Sequence, residues 1–344
     1  MVLMFVPFAI GSVGPLQAIT TITLDKKPNC IAINEESNRV YVGTEDGLIV
    51  LDGNLYNMVE SIPLEAAVIG MAINPQTNRI YAVVYGEKVA IIDGATNQIV
   101  GELPEKIFDS PDGVGIAANP LTNLVYIEDR AATMGDYDRV AVYSGETNQI
   151  IAFLNVPLSD THEYMREVGL AINPEINRIY VTWSANGTLH MFDGITNEFM
   201  ETVKPSSFSE GVMVNMCTNY VYVGNAVLDG ETLAEVTSGY EGDLEYVDPI
   251  NNLLFTVDYP NSLYVLNGTT HEILVSFELD WDFNSYYDCV GVNCKTDKIY
   301  LVDNSENQIP VMVVISELPN WTLMLFALGV LTVAILSYRR KIKF

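Results

Sequence analysis

The chain has 344 residues, of which 44 are Asp or Glu and 17 are Lys or Arg, and its formal net charge is −27. This balance argues against nucleic acid as a partner, because phosphate binding requires a basic surface. Hydrophobic residues make up 49% of the chain, which excludes a disordered acidic protein. The four cysteines lack CxxC spacing, which excludes a disulfide-stapled miniprotein and argues against a zinc site.

Residues 1–18 form an apolar segment that ends in small residues, among them Gly14 and Ala18. This pattern is typical of the core and cleavage region of a secretory signal, although the basic residues that normally precede the core are missing. The alternative, an exposed apolar tail, is disfavoured because soluble proteins rarely expose such a run. We therefore expect an exported protein.

A repeated unit occupies the centre of the chain, and its first half carries an aromatic residue within a short β-prone run. Clear copies read INEESNRVYV (33–42), INPQTNRIYA (73–82), ANPLTNLVYI (118–127), INPEINRIYV (172–181) and VNMCTNYVYV (214–223), and weaker ones begin at 247 and 292. The aromatic residue falls at 41, 81, 126, 180, 222, 255 and 300, a mean spacing of about 43 residues. Seven units of this length suit four short strands each, as in a propeller blade.

The second half of the unit is a turn of the type DGxTN, which occurs six times between β-prone runs, for example as IDGATNQ (92–98) and FDGITNE (192–198). We assign each unit four strands, a to d, with an NPxTN turn between a and b and a DGxTN turn between c and d. The seventh unit lacks its outer strand, and the β-prone run ITTITL (19–24) is available to supply it. The sequence thus predicts an all-β fold, a seven-bladed β-propeller over residues 19–316 that is closed by an N-terminal strand.

The NPxTNxxYV and DGxTN signatures resemble the YVTN-type seven-bladed propeller repeat over residues 20–316. Proteins of this type are mostly exported or surface-layer propellers. The resemblance implies a scaffold rather than a particular chemistry.

The predicted topology puts both kinds of signature turn on one end of the ring, the turn face, and the variable loops on the other, the loop face. Function usually lies on variable loops. We expect the loop face to bind cell-envelope proteins or glycans, since aromatic anchors beside acids suit cationic protein surfaces or sugars. The candidate binding residues are Trp281, Phe283, Tyr286, Tyr287, Tyr164, Asp160, His162 and Asp112. A possible Ca²⁺ site is formed by Asp129, Asp136 and Asp138, whose spacing does not match an EF-hand.

Cys30 and Cys289 occupy equivalent positions on the innermost strands of units one and seven, which are neighbours across the closure. They could form a disulfide that locks the ring or could fill a narrow channel as two small residues. The sequons at Asn186 and Asn267 are candidate glycosylation sites.

The C-terminal region from 317 to 344 has 21 uncharged residues between Glu317 and Arg339, followed by a basic tail. This pattern predicts a single transmembrane helix with the tail on the cytoplasmic side. The region also resembles a tripartite sorting signal. Because strand c of unit seven runs toward the turn face, we expect the turn face to lie against the membrane and the loop face to point outward.

The leading functional hypothesis is a non-enzymatic scaffold without a cofactor on the outer side of the cell membrane. One alternative is a propeller hydrolase or lyase with a metal in the central channel. It is disfavoured because the innermost strands, such as GMAIN and GLAIN, are small and apolar. A second alternative is a purely structural surface-layer unit.

Overall fold

The computed structural model describes residues 13–86, 88–103, 115–129, 139–155, 169–183, 187–207, 211–281, 290–303 and 305–316. These residues form 28 strands in seven four-stranded antiparallel sheets. Each innermost strand contacts the innermost strands of both neighbouring sheets, so the ring is closed. The protein is a seven-bladed β-propeller, as predicted.

Each of blades one to six uses four consecutive strands, ordered from the channel outward. Blades one to three contain β2 (Pro28–Asn34), β3 (Arg39–Thr44), β4 (Gly47–Asp52), β5 (Met58–Pro63), β6 (Val68–Asn74), β7 (Arg79–Val84), β8 (Lys88–Asp93), β9 (Gln98–Glu102), β10 (Ile116–Asn119), β11 (Leu124–Asp129), β12 (Arg139–Ser144) and β13 (Ile150–Asn155). Blades four to six contain β14 (Leu170–Asn173), β15 (Arg178–Trp183), β16 (Thr188–Asp193), β17 (Phe199–Val203), β18 (Val212–Asn215), β19 (Tyr220–Val223), β20 (Ala226–Asp229), β21 (Glu235–Ser238), β22 (Asp243–Asp248), β23 (Leu253–Asp258), β24 (Ser262–Asn267) and β25 (Ile273–Glu278).

Blade seven joins the two ends of the described chain. Its strands are β26 (Val290–Asn293), β27 (Lys298–Leu301), β28 (Gln308–Ser316) and, outermost, β1 (Val13–Thr23). The N-terminal strand thus closes the ring, as predicted, but it begins at Val13 rather than at residue 19. Val13 lies opposite Ser316, and Leu16 is buried in a core cluster with Met312.

The hydrophobic core lies between neighbouring blades. The two middle strands of a blade are buried on both faces, so β3 and β4 read as continuous apolar runs, RVYVGT and GLIVLD. The outer strand β5 is mostly exposed. Across the closure, Val40 and Leu51 of blade one share a cluster with Tyr300 and Val311 of blade seven, so the blade-seven interface is packed like the others.

The two signature turns of a blade meet on the turn face. In blade two, Gly94 of the c–d turn donates its backbone N–H to the carbonyl of Asn78 in the a–b turn, and Gly53 and Asn38 do the same in blade one. The b–c and d–a loops leave the opposite end of each sheet. The predicted division into a turn face and a loop face is therefore correct.

The predicted membrane helix, within 317–344, and most of the N-terminal apolar segment lie outside the described residues. Within the described ranges, no helix is long and apolar enough to cross a bilayer.

Candidate interaction faces of the propeller

Asparagines of the repeat connect neighbouring blades on the turn face. In six of the seven blades a buried Asn ends the innermost strand. In six blades a second Asn stands at the end of the a–b turn, with a φ between 49° and 56°. The Nδ2 of the first Asn donates to the Oδ1 of the second Asn of the next blade at 2.7–3.0 Å. The six pairs are Asn34–Asn78, Asn74–Asn123, Asn119–Asn177, Asn173–Asn219, Asn215–Asn252 and Asn293–Asn38. We call these bonds the asparagine ring.

The seventh connection, from blade six to blade seven, uses a different arrangement. Asp248 stands where the other blades have the first Asn, and an ionised carboxylate has no hydrogen to donate. Asn251, three residues later, supplies the donor: its Nδ2 lies 2.8 Å from Asp248 Oδ2 and 3.0 Å from Asp297 Oδ1 of blade seven. The ring of blade-to-blade hydrogen bonds is therefore complete.

The signature tyrosine of strand b forms a second connection between blades. Its hydroxyl donates to the c–d turn of the next blade in four cases: Tyr126 to Asn197, Tyr180 to Gly230, Tyr222 to Gly268, and Tyr300 to Gly53. Burial raises the pKa of Tyr222 to about 12, so the phenol stays protonated and able to donate. In blade six the aromatic residue is Phe255, which has no hydroxyl.

The glycine of the c–d turn is required by the asparagine ring. A Cβ on Gly194 would overlap Oδ1 of Asn177, the atom that accepts the bond from the preceding blade, and the equivalent glycines of the other five DGxTN-type turns have the same relation to their Asn. Sequence reasoning attributed the Asn and Gly residues to turn formation alone. It missed their role between blades, because the partner lies 37 or more residues away along the chain.

Every outer strand carries a β-bulge with an apolar residue at the extra position. Six of these side chains are between 41% and 54% exposed, and Leu274 is half-buried. The bulge residues are Ile19, Val59, Val100, Ile151, Met200, Val236 and Leu274. A bulge interrupts the outer hydrogen-bonding edge and so protects it against pairing with another strand.

The described part of the loop face is most acidic at blade six. Five exposed carboxylates lie at its loop end, a group that we call the acidic sector: Glu241, Asp243, Asp258, Glu278 and Asp280. Strand register places three of these side chains along one edge, because Asp258 is opposite Ser262, Ser262 is opposite Glu278, and Asp243 is opposite Val257. The sequence has no Lys or Arg between Lys204 and Lys295.

Blades one and two differ from the acidic sector, since their loop face carries the cations Lys26, Lys27 and Lys88, two of which are paired. Lys26 lies 2.9 Å from Asp46, and Lys88 lies 2.7 Å from Glu102. The unbalanced negative charge of the described loop face is thus concentrated at blade six.

Trp281 is the one predicted aromatic anchor within the described residues. It follows the acidic sector, is half-buried and packs against the core cluster shared by blades six and seven. Its buried Nε1 has no hydrogen-bond partner in the described part of the chain. The structure thus places Trp281 beside the acidic sector, and its role as a binding residue stays a prediction. The other predicted binding residues lie outside the described residues: Phe283, Tyr286, Tyr287, Tyr164, Asp160, His162 and Asp112.

The candidate Ca²⁺ site is described only at Asp129, the last residue of β11; Asp136 and Asp138 lie outside the described residues. Within the described ranges, no group of three or more His, Cys, Asp or Glu side chains could hold a metal ion. The calcium site remains a prediction.

The candidate disulfide and glycosylation sites are described in part. Cys30 is buried on the innermost strand β2, as expected, while Cys289 lies outside the described residues. Asn186 also lies outside them. Asn267 occupies the Asp position of a c–d turn, where its Oδ1 accepts the backbone N–H groups of Thr269 and Thr270 at 2.8 and 2.9 Å.

Two buried titratable side chains lie in blades three and four. His190 is 1% exposed, and its ring nitrogens lie 2.9 Å from Thr188 Oγ1 and 2.7 Å from Thr202 Oγ1. Burial lowers its pKa from 6.5 to about 4, so the ring is neutral at pH 7. Glu128 is fully buried near the loop end of β11 and accepts the N–H of Gly115 at 3.4 Å. His190 lies on strand c of blade four, and neither side chain was among the predicted site residues.

Comparison with known proteins supports the fold alone. No protein-family model matches the sequence, and no curated protein is significantly similar to it. Among solved structures, the β-propeller domain of Myceliophteria thermophila Cps50 (Swd1) is similar, with a TM-score of 0.69 over 88% of this chain and 100% of that chain. The sequences are 11% identical, so this similarity supports the architecture alone.

Proposed function

We propose that this protein is a membrane-tethered interaction scaffold at the cell surface, whose loop face binds a basic surface on a cell-envelope protein. We assign it no catalytic step. One observation carries the proposal: the acidic sector lies on the loop face, while both ends of the described chain lie on the turn face.

The position of the chain ends supports the proposed orientation. Strand d of each blade starts at the turn face, and strand c ends there. Val13 of β1 and Ser316 of β28 are therefore paired at this end. The apolar segment 1–12 comes directly before β1 in the sequence, and the uncharged segment 318–338 follows β28 after Glu317. If 318–338 spans a membrane, the loop face points away from the lipid.

The signature residues support the proposed relation to YVTN-type surface propellers. Tyr, Asn and Gly of the two motifs each have a defined role between blades in this chain. A ring stabilised by its turn face leaves the loops of the other face free to vary in sequence. This is the division expected of a binding scaffold.

Charge favours a basic protein surface over a glycan as the partner. The acidic sector has five exposed carboxylates. The stretch of sequence that contains them, from 205 to 294, has no Lys or Arg to compensate their charge. Complementary charge accelerates association and discriminates among partners. Trp281 beside it adds an apolar anchor of the kind that concentrates binding energy.

The test uses the full chain in lipid nanodiscs and an immobilised oligo-arginine peptide as the probe. Asp243→Lys, Asp258→Lys and Glu278→Lys together change the charge of the acidic sector by six units. The matched control makes the same change on the turn face, at Glu146, Glu231 and Glu272. We expect the acidic-sector variant to bind the peptide about tenfold more weakly than the wild type at low salt, and the turn-face control to bind it as the wild type does. High salt should weaken wild-type binding.

Equal binding by both variants would show that the peptide responds only to net charge, and would contradict the proposed surface. Binding of neutral envelope glycans that is unaffected by salt would favour the sugar partner instead. Self-association of the chain without any ligand would favour a purely structural unit.

A further inference from the structure

Among the described residues, exposed apolar side chains gather at the turn-face end of the propeller. The described residues include 15 large hydrophobic side chains that are exposed, and 14 of them lie on the turn face or on the adjacent half of the outer strands. The fifteenth, Tyr85, lies on the loop face, of which the stretches 104–114, 130–138, 156–168 and 282–289 are outside the described residues. Isolated exposed apolar residues need no explanation, but a concentration at one end indicates a contact surface.

Four of these side chains project from the turns themselves. Leu55 and Ile195, in c–d turns, are 73% and 75% exposed, and Leu121 and Ile250, in a–b turns, are 61% and 58% exposed. They belong to blades one, four, three and six, so they are spread around the ring. A contact that covered all four would have to extend across the whole turn face.

The remaining ten lie just above these tips. Six of them are the exposed bulge residues, and the other four are Met58, Ile99, Phe199 and Ile273, which stand one position before the bulge in their strands. This apolar belt is one or two strand residues, roughly 3–7 Å, from the turns. The tips and the belt therefore occupy a shallow layer at one end of the molecule.

The chain ends leave from the same layer. Lys298, the first residue of β27, lies opposite Val313, so residues 314–316 of β28 continue past the rest of the sheet together with the start of β1. Three strand residues span about 10 Å. The uncharged segment that starts at Leu318 is thus only a short distance from the apolar tips.

We propose that the turn face is seated in the headgroup region of the membrane, with the four apolar tips and the lower part of the belt in contact with lipid. This inference rests on the proposed C-terminal anchor and adds a second, direct contact between propeller and bilayer. Interfacial elements commonly insert apolar groups about 5–10 Å into the boundary between headgroups and acyl chains. That depth matches the layer formed by the tips and the belt.

The turn face carries exposed glutamates, among them Glu146, Glu231 and Glu272, and in the proposed seating these stay in contact with water and lipid headgroups. Its three arginines are paired with the aspartate that opens the c–d turn of the same blade, so their charge is compensated at shallow depth: Arg39–Asp52, Arg79–Asp93 and Arg178–Asp193. A second copy of the chain is the competing occupant. The net charge of −27 opposes packing between identical molecules, which favours lipid.

The chain supplies a reporter for this proposal. Cys217 is exposed and occupies the position of Leu121 in the a–b turn of blade five, whereas Cys30 and Cys294 are buried. With Cys289→Ser, an environment-sensitive fluorophore can be attached to Cys217 of the full chain in phosphatidylcholine nanodiscs. The control carries Tyr85→Cys on the loop face together with Cys217→Ser and Cys289→Ser. Quenching by lipids that are spin-labelled in the headgroup region measures contact with the bilayer.

We expect the Cys217 label to be quenched about fivefold more than the Tyr85→Cys label. The double variant Leu55→Asp/Ile195→Asp should lower this quenching to the loop-face level while the protein stays with the nanodisc. Both side chains are about three-quarters exposed, so unchanged thermal unfolding will show that the fold is intact.

Equal quenching at both labels in nanodisc-bound protein would overturn the seating and leave the anchor standing. Protein that does not associate with nanodiscs at all would overturn both. Crosslinking between copies through Cys217, with no quenching by lipid, would assign the turn face to self-association and also overturn the proposal.

Discussion

The asparagine ring makes a quantitative prediction at Asn119. This side chain is fully buried and donates to Asn177 Oδ1 at 2.8 Å, while its own Oδ1 accepts the N–H groups of Leu121 and Thr122 at 3.0 and 3.3 Å. Asn119→Asp keeps the shape and both accepted bonds. It replaces the donor by an oxygen that faces Asn177 Oδ1.

The expected cost follows from the loss of this one donor. A buried partner left without its hydrogen bond costs about 1–3 kcal/mol, and the upper end applies here because the new group is ionised and faces a carbonyl oxygen. We therefore expect the free energy of unfolding of Asn119→Asp to fall by about 3 kcal/mol at pH 7.

Blade six indicates how to rescue this variant. There, Asp248 is accompanied by Asn251, which bridges the carboxylate to blade seven. Thr122 is the residue of blade three equivalent to Asn251, and its buried Oγ1 has no partner within the described ranges. Adding Thr122→Asn should restore about half of the lost free energy, roughly 1.5 kcal/mol. Thr122→Asn alone should change it by less than about 0.5 kcal/mol.

Equilibrium denaturation in urea, with an unchanged m-value, measures all four proteins. If Asn119→Asp is as stable as the wild type, or if Thr122→Asn does not rescue it, the hydrogen bonds of the ring do not contribute as described.

Three further predictions concern the stability of the propeller. Tyr180→Phe removes the bond to Gly230 and should lower the unfolding free energy by about 1 kcal/mol, while Tyr81→Phe, whose hydroxyl has no partner in the described part of the chain, should be neutral within about 0.5 kcal/mol. Gly194→Ala should cost about 1–3 kcal/mol because its Cβ overlaps Asn177, whereas Gly211→Ala, with nothing within 4 Å of the added Cβ, should not; melting temperatures of the pair measure this. Since the pKa of His190 is lowered from 6.5 to about 4, the unfolded state binds the proton first. Stability should therefore fall by about 3 kcal/mol as the pH drops from 6.5 to 4, and His190→Gln should lose this component; a pH-independent difference between the two proteins would contradict it.

The number of blades and the mode of closure could be predicted from the sequence because both depend on counting. Seven copies of the first half against six of the second left one outer strand missing, and only one β-prone run precedes the first unit. The start of that strand could not be predicted. Residues 13–18 are apolar or small apart from Gln17, as in a secretory signal, and only pairing with β28 and the burial of Leu16 identify them as strand.

The contacts between blades could not be predicted, since they depend on the ring rather than on local pattern. Asn119 and Asn177 are 58 residues apart, across a variable insertion, and a turn-forming Asn has the same sequence pattern whether or not it has a distant partner. The bulges were also missed, because a bulge depends on how two strands pair. Of the predicted binding residues, Trp281 lies within the described ranges, and the binding role of the set stays a prediction.

The pairing of β1 with β28 has a consequence for biosynthesis. The ribosome completes β1 about 290 residues before it completes β28. The 11 residues of β1 therefore have no strand to pair with until almost the whole chain has been translated. The first six blades can form in order during this interval, but the last interface forms only when the polypeptide is nearly finished. Truncation anywhere before Gln308 would leave β1 without its partner and an open arc, which quality-control proteases would degrade.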